Sequence, residues 1–341
     1  MSWRMPAEGS PQARLWVAWP TGGYTLGGTA VEAETARRTW AAVANAAAEY
    51  QPVSVVVHPR DVSLARRYLD SAITLHDREI DDAWIRDSGA TFVVDDERPG
   101  VLGAVTWVFN GWGEQDWAEW GHDASLAPAM AEWAGAERVD SALVNEGGGI
   151  HVDGLGTVLV TETVQRDPGR NPTLGRHEVE VELARTIGAE HAIWLPRGLS
   201  RDSDAYGTRG HVDIVATIAS PGVLLLHDQG NSRHPDALIT AKIRTVLAEA
   251  NDARGLPFEI IDLPAPQTLR DADGFVDYSY VNHVVINNAV IACSFDDAQD
   301  ADATAILRDA YPGREVVSVD ARPLFARGGG IHCITQQQPA V

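Results

Sequence analysis

Cysteine is scarce: of 341 residues, only Cys293 and Cys333 carry a thiol. Two cysteines supply no disulfide framework, so the fold must rest on a packed core, and a reducing cytoplasm is the expected compartment. Basic residues are also few, with 27 Lys and Arg against 48 Asp and Glu and a formal net charge of −21. That deficit argues against general binding to nucleic acid or anionic membranes, which needs clustered positive charge. It favours cationic ligands instead. No run of about 18 apolar residues is present to span a bilayer, and residues 1–10 lack the apolar stretch of a secretory leader. Long polar linkers are missing too, the richest turn segment being the short stretch 21–29.

What remains is a steady alternation of patterns. Apolar runs at 15–19, 53–57, 91–94, 101–109, 157–161, 191–195, 211–218, 223–227, 258–263, 278–287, 290–294, 316–319 and 331–335 read as strands. Helical patterns occupy 30–50, 61–72, 125–134, 176–187, 236–250 and 301–310, the first with Trp40, Val43 and Ala47 on one face. Within this alternation, Gly147-Gly148-Gly149-Ile150-His151 recurs as Gly328-Gly329-Gly330-Ile331-His332. His151-Val152-Asp153 recurs as His211-Val212-Asp213, and Trp84-Ile85-Arg86-Asp87 and Asn282-His283 occupy comparable places. Polar strand-end residues therefore return about every 50–70 positions, giving roughly five units and a radial or stacked architecture.

The same positions hold the chemistry. Cys333 follows three glycines and His332, and glycines let a ligand or another strand come close to the backbone. A cysteine there is expected to be more exposed than one in a core. Cys293, inside the apolar run 290–293, fits the core role that free cysteines more often take. His211 and Asp213 are spaced by two and would share one face of a strand. Glu146 precedes the first glycine triplet and could orient a histidine or face solvent, while Asp87 could cap a turn or form a salt bridge. Two His-x-Asp pairs and a cysteine could ligate a metal, but no His-x-His or Cys-x-x-Cys spacing supports one, and no metal or cofactor is expected. The order of cysteine and histidine is the reverse of a papain-like protease, and neither glycine triplet is followed by the Lys-Ser/Thr of a phosphate loop.

Taken together, these segments resemble the agmatine deiminase family, including its bacterial peptidylarginine deiminase relatives. The resemblance runs from Met5-Pro6-Ala7-Glu8 and Trp16-Val17-Ala18-Trp19-Pro20 through Trp84-Ile85-Arg86-Asp87-Ser88-Gly89 and Phe109-Asn110-Gly111-Trp112-Gly113. It continues through Glu146 and its glycines, Gly210-His211-Val212-Asp213 and Ser279-Tyr280-Val281-Asn282 to the segment 328–339. It implies a five-bladed pentein α/β propeller of ββαβ-like modules with pseudo-fivefold symmetry. One catalytic domain over 1–341 would then replace the two domains that length alone suggests. The resemblance also implies Cys333 as nucleophile, His211 as general acid/base, Glu146 as the acid that holds this histidine, and Asp87 and Asp213 as the carboxylates that grip a guanidinium. Trp84, Trp112 and Gly330 would line the substrate with them.

The residue types suit that chemistry. A guanidinium is a planar cation whose forked donors pair with carboxylates. Thiolate attack on its carbon neutralises the cation, so carboxylates serve where an oxyanion hole would otherwise be needed. A covalent S-alkylthiouronium would form, and His211 would activate water to release a ureido product. For agmatine this gives N-carbamoylputrescine and ammonia. The same acids disfavour the thiolate, so the substrate cation or a protonated His211 is expected to generate it.

The sequence departs from the family pattern at the substrate's far end. Tyr206-Gly207-Thr208-Arg209-Gly210 stands where acidic or Asn-type residues are usual, and Gly9 stands where an aromatic residue is common. Arg209 could point to solvent or pair with Asp202 or Asp204, or accept a carboxylate and favour arginine, peptidyl-arginine or another guanidino acid. Trp112, Trp117 and Trp120 fall in the loop 110–123, where aromatic faces could receive a cation or simply pack. The same pocket residues would also suit amidino transfer, or a catalytically silent guanidinium or polyamine sensor. The expected partner is a small cationic guanidino compound, not nucleic acid or membrane, and a homodimer is left open.

Overall fold

The computed structural model describes residues 2–204 and 206–341. Its strands form five sheets, and every sheet repeats one plan of an antiparallel pair followed by a parallel third strand. A helix links the second strand to the third in each case. These helices are α1 (Ala30–Ala48), α2 (Leu126–Ala134), α3 (Arg176–Ile187), α4 (Asp236–Glu249) and α5 (Asp300–Ala310). The repeating unit is thus ββαβ, and the chain is a five-bladed α/β propeller. The C-terminal strand Thr335–Pro339 pairs with the N-terminal strand Gln12–Ala18, so both ends of the chain meet in one blade.

Local sequence explains the elements. Val53–Val57 lies between parallel neighbours with every side chain buried, which suits a valine run broken only by the small Ser54. At the start of α1 the Thr29 hydroxyl accepts from the Glu32 amide at 3.2 Å, and Glu32 accepts in return from the Gly28 amide at 3.1 Å. One face of α1 buries Trp40, Val43 and Ala47 as the spacing predicts.

Several expectations need correction. The stretches 211–218, 278–287 and 331–335 are not continuous strands: strands begin only at Ala216, Val284 and Thr335. Apolar β-branched residues in these stretches imitate a strand, but Val212–Ile214 is a 3-10 turn, preceded by Gly210 at φ 114°. His211 and Asp213 therefore do not reach one site by strand alternation. The stretch 61–72 holds only the short turns Pro59–Asp61 and Val62–Ala65. Four strands were not legible: Thr74–Asp77 and Glu137–Val144, whose exposed residues interrupt any apolar run, and Trp3–Arg4 and Ile150–Val152, which are only two and three residues long.

One consequence positions the site. A turn leads into the first strand of every blade: Ile85–Ser88 before Thr91–Asp95, Gly147–Gly149 before Ile150–Val152, Val212–Ile214 before Ala216–Ser220, and irregular turns before Val284–Ile286 and Thr335–Pro339. The segments around Asp87, Gly147–Gly149, His211, Asn282 and Gly328–His332 occupy these five turns, whereas His151-Val152-Asp153 lies in and just after the strand Ile150–Val152 and is not the counterpart of His211-Val212-Asp213.

Candidate active site

The turns bring the polar side chains together in the interior. Glu146 is fully buried, and Arg170 donates to both its oxygens at 2.9 and 3.1 Å. His211 Nε2 lies 3.3 Å from Glu146 Oε2, and its Nδ1 lies 3.8 Å from Asp87 Oδ1. Burial opposes charge on each of these groups, yet Arg170 and His211 hold the Glu146 carboxyl below its usual range. For His211, burial is outweighed by Asp87, Glu146 and Asp213, which push its pKa up to about 9. The result is a protonated histidine fixed by an ionised glutamate. Only glycine fits at 148, since a Cβ there would lie 2.5 Å from His211 Nδ1 and 2.9 Å from Asp87 Oδ1.

Asp87 is held from two sides. The Gly148 amide donates to Oδ1 at 3.1 Å and the Trp112 indole N–H donates to Oδ2 at 2.8 Å. Burial, with Glu146 and Asp213 nearby, raises its pKa to about 6 despite the favourable charge of His211. Trp112 makes its bond from an unusual backbone. Gly111, Trp112, Gly113 and Glu114 have φ of 67°, 57°, 88° and 58°, a left-handed stretch that costs about 1–2 kcal/mol per non-glycine residue. Asn110 secures it by accepting from the Gly113 amide at 3.0 Å and donating to the Gly169 carbonyl at 2.9 Å.

Asp213 is the second carboxylate. His332 Nδ1 meets its Oδ2 at 2.8 Å, and His332 Nε2 meets Glu8 Oε2 at 3.1 Å. Asp213 Oδ1 is buried without a hydrogen-bond partner. Burial works against ionisation, but His332, His211 and Arg86 hold the Asp213 carboxyl below its ordinary range.

Cys333 sits against Asp213 and lines one cleft with Asp87. Its Sγ is 3.5 Å from Asp213 Oδ2 and accepts from Asn282 Nδ2 at 3.3 Å. Contrary to expectation it is only 5% exposed. The chain after the glycines turns inward, and residue 329 can only be glycine because a Cβ there would lie 2.9 Å from Trp84 and 3.0 Å from Cys333 Sγ. Burial, then Asp213 and Asp87, raises the thiol well above its usual pKa, against the Gly330 amide and Asn282, which favour the thiolate. The resting group is a thiol that needs a cation beside it.

A narrow cleft above Cys333 is walled by Trp84, Asp87, Trp112 and Trp117. It shares Tyr206, Arg327 and Gly328 with a wider cavity of about 530 Å³, which none of the groups around Cys333 lines. Trp117 stacks on Trp112 with centroids 5.2 Å apart, and Tyr206 meets Trp117 edge-on at 5.3 Å. The tryptophan loop thus divides its roles: Trp112 and Trp117 line the cleft, and Trp120 packs against Gly111.

The structure therefore brings together Cys333, His211, Glu146, Asp87, Asp213, Trp84 and Trp112. Gly330 lies beside them, its missing side chain making room for Asn282 and Phe325. Arg209 does not join them. Its side chain is exposed and without a hydrogen bond or ion pair among the described residues, while Asp202 is taken by Thr208 and the His211 amide. The positive charge at the cleft is instead Arg327, paired with Glu32 at 3.0 Å. Sequence reasoning also missed Arg170, whose only signal is a lone arginine in a loop, and the site role of Glu8, His332, Asn282 and Arg86, all inside motifs already noted. Donor atoms of Glu8, His151 and His332 lie within 4.8 Å of one another. His332 Nε2 faces Glu8, and His151 Nε2 faces the Thr217 hydroxyl at 2.8 Å, so this group satisfies itself. Among the described residues, no helix is long and apolar enough to cross a membrane.

Chemically, the cleft presents Asp87 and the Cys333 thiol, with a second carboxylate, Asp213, against the sulfur and carrying an unused oxygen, and a protonated histidine against Asp87. That is a receptor for a planar cation presented to a nucleophile. The comparisons with known proteins agree. The family model described as Porphyromonas-type peptidyl-arginine deiminase matches residues 4–339. A Streptomyces coelicolor protein provisionally named as an agmatine deiminase is 50% identical over 99% of both chains. The agmatine deiminase of Pseudomonas putida is 37% identical over 98% of this chain and 95% of its own. The solved agmatine deiminase of Enterococcus faecalis superposes with a TM-score of 0.91 at 30% identity, covering 99% of this chain and 96% of that one. The chain belongs to the agmatine deiminase family, within the Porphyromonas-type peptidyl-arginine deiminases.

Proposed function

We propose that the protein hydrolyses the guanidino group of a small cationic guanidine, agmatine first among them, to a ureido product and ammonia. The observation that carries this is the buried Cys333 thiol 3.5 Å from Oδ2 of Asp213, a carboxylate whose other oxygen has no partner, with a second buried carboxylate, Asp87, lining the same cleft as the sulfur. The guanidinium donates to Asp87 and Asp213, and its charge offsets the acids that suppress the thiolate. The Cys333 S–H proton passes to water as Sγ bonds to the guanidinium carbon, and His211 gives its own proton to the departing nitrogen, which leaves as ammonia. His211, now neutral, takes a proton from water as the water oxygen attacks the same carbon. The carbon–sulfur bond breaks, the hydroxyl proton of the adduct passes to the departing sulfur as the carbonyl forms, and the thiol is restored. Glu146, set by Arg170, keeps His211 in place through both steps.

The reading includes a cytoplasmic setting, given two free thiols, and a substrate that is a small cation, with no part for nucleic acid or a membrane. Incubation with agmatine, arginine and a blocked peptidyl-arginine tests it. Ammonia and the ureido product are expected from agmatine with the unaltered protein and not with Cys333→Ser. Product that forms only when an amine is added would instead mark amidino transfer.

A further inference from the structure

Two alternating series of charge converge on Cys333. One runs Arg170, Glu146, His211, Asp87 and belongs to the proton chemistry above. The other runs Glu8, His332, Asp213, and the proposed reaction has given its first two members no work. Glu8 comes from the N-terminal segment and is 8% exposed; its Oε1 is fixed by the Val285 amide at 2.8 Å. His332 is 3% exposed, and its amide is fixed by Asn282 Oδ1 at 3.0 Å.

The geometry determines the state of the His332 ring. Both ring nitrogens face carboxylate oxygens, Nδ1 at 2.8 Å and Nε2 at 3.1 Å. A neutral imidazole has one N–H, so one contact would set a bare nitrogen lone pair against an anion. Two N–H donors satisfy both. The other groups around the ring do not change this conclusion. His151 and His283 are buried and neutral, each pushed down to about 4 by burial. Arg86 opposes protonation, as burial does, but Glu8 and Asp213 prevail and raise His332 above its ordinary range. Arg86 donates from Nε to the His332 carbonyl at 3.2 Å and faces Glu8, Asp213, Asp87 and Cys333.

We infer that Glu8 and His332 are positioning residues: a buried glutamate–imidazolium brace that pins Asp213 Oδ2 and so leaves Oδ1 aimed at the guanidinium. The brace rests on the proposed deimination and deepens it. Without the imidazolium, Asp213 turns or takes up a proton and loses its grip on the substrate. Without Glu8, the imidazolium loses one of its two anions and gives up its proton at lower pH. The carboxylate that receives the guanidinium is therefore set from the opposite end of the chain.

The test has two arms. Glu8→Gln keeps the shape and removes the charge. The expected result is an alkaline limb of kcat/KM moved to lower pH, with a loss of about tenfold near pH 9, carried mainly by KM, and little loss near pH 6.5. A uniform fall at every pH with an unmoved limb would show Glu8 to be merely structural and overturn the brace. The second arm needs no variant. In the unaltered protein, ring nitrogen-15 resonances of His332 should report two protonated nitrogens at about pH 8, above the ordinary imidazole pKa of about 6.5. A neutral ring there overturns the inference even if Glu8→Gln does not fold. Failure of the unaltered protein to turn over any guanidine would count against the proposed function, whereas the His332 resonances judge the brace by themselves.

Discussion

Trp112 reaches Asp87 Oδ2 with its indole N–H at 2.8 Å from a backbone at φ 57°. A large residue held in the left-handed region ties local strain to the carboxylate that receives the substrate. Trp112→Phe keeps the ring and removes the donor. A hydrogen bond to a charged group contributes about 1.5–3 kcal/mol, so kcat/KM for agmatine should fall by roughly tenfold to a hundredfold. Steady-state kinetics check this, and an unchanged value would release Asp87 from its dependence on the loop.

Cys333 should be a slow nucleophile until a cation arrives. Burial and the two aspartates raise its pKa well above the ordinary thiol value, so the unliganded protein should be alkylated appreciably only at high pH. A non-reactive guanidinium analogue that fills the carboxylates without covering the sulfur should shift the alkylation profile to lower pH. Rates of thiol modification across pH, with and without the analogue, make the comparison.

Arg170 is needed to keep Glu146 buried as an anion. Arg170→Met leaves that charge with His211 alone, and breaking one partner of a buried ion pair typically costs up to about 3–5 kcal/mol. Chemical denaturation should show the loss, accompanied by a fall in kcat as His211 loses its fixed partner.

His211 should make stability depend on pH. Its folded pKa is raised to about 9, so the stabilisation it confers is complete below the unfolded value of about 6.5 and is lost as pH rises through about 9. The unaltered protein should lose stability across that window. In His211→Gln this part of the slope should vanish, as denaturation midpoints at several pH values will show.

At the substrate's far end, Arg209→Ala should leave the preference between agmatine and arginine unchanged within about twofold, as for most exposed positions. Its side chain is exposed and does not line the cleft. A larger change would return Arg209 to the substrate.

Much of this architecture was legible in the residues. Five returns of polar strand-end residues do correspond to five blades, because each blade repeats the same turn before its first strand. Glu146, His211, Asp87, Asp213 and Cys333 stand out because glycines and sharp turns surround them. What stayed hidden depends on tertiary contact. Glu8, Arg86, Arg170 and His332 look like ordinary charged residues in sequence, and only folding places them as buried counter-charges. Arg209 is next but one to His211 and its residue type left both a solvent-facing and a substrate-facing place open; its backbone at φ 76° carries an exposed side chain.

Hydrolysis of agmatine in oxygen-18 water tests the central claim most directly. Attack by Cys333 followed by water requires one labelled oxygen in each ureido product, formed together with one ammonia and absent with Cys333→Ser. An unlabelled product, or a labelled one formed equally well by Cys333→Ser, would contradict cysteine-dependent deimination.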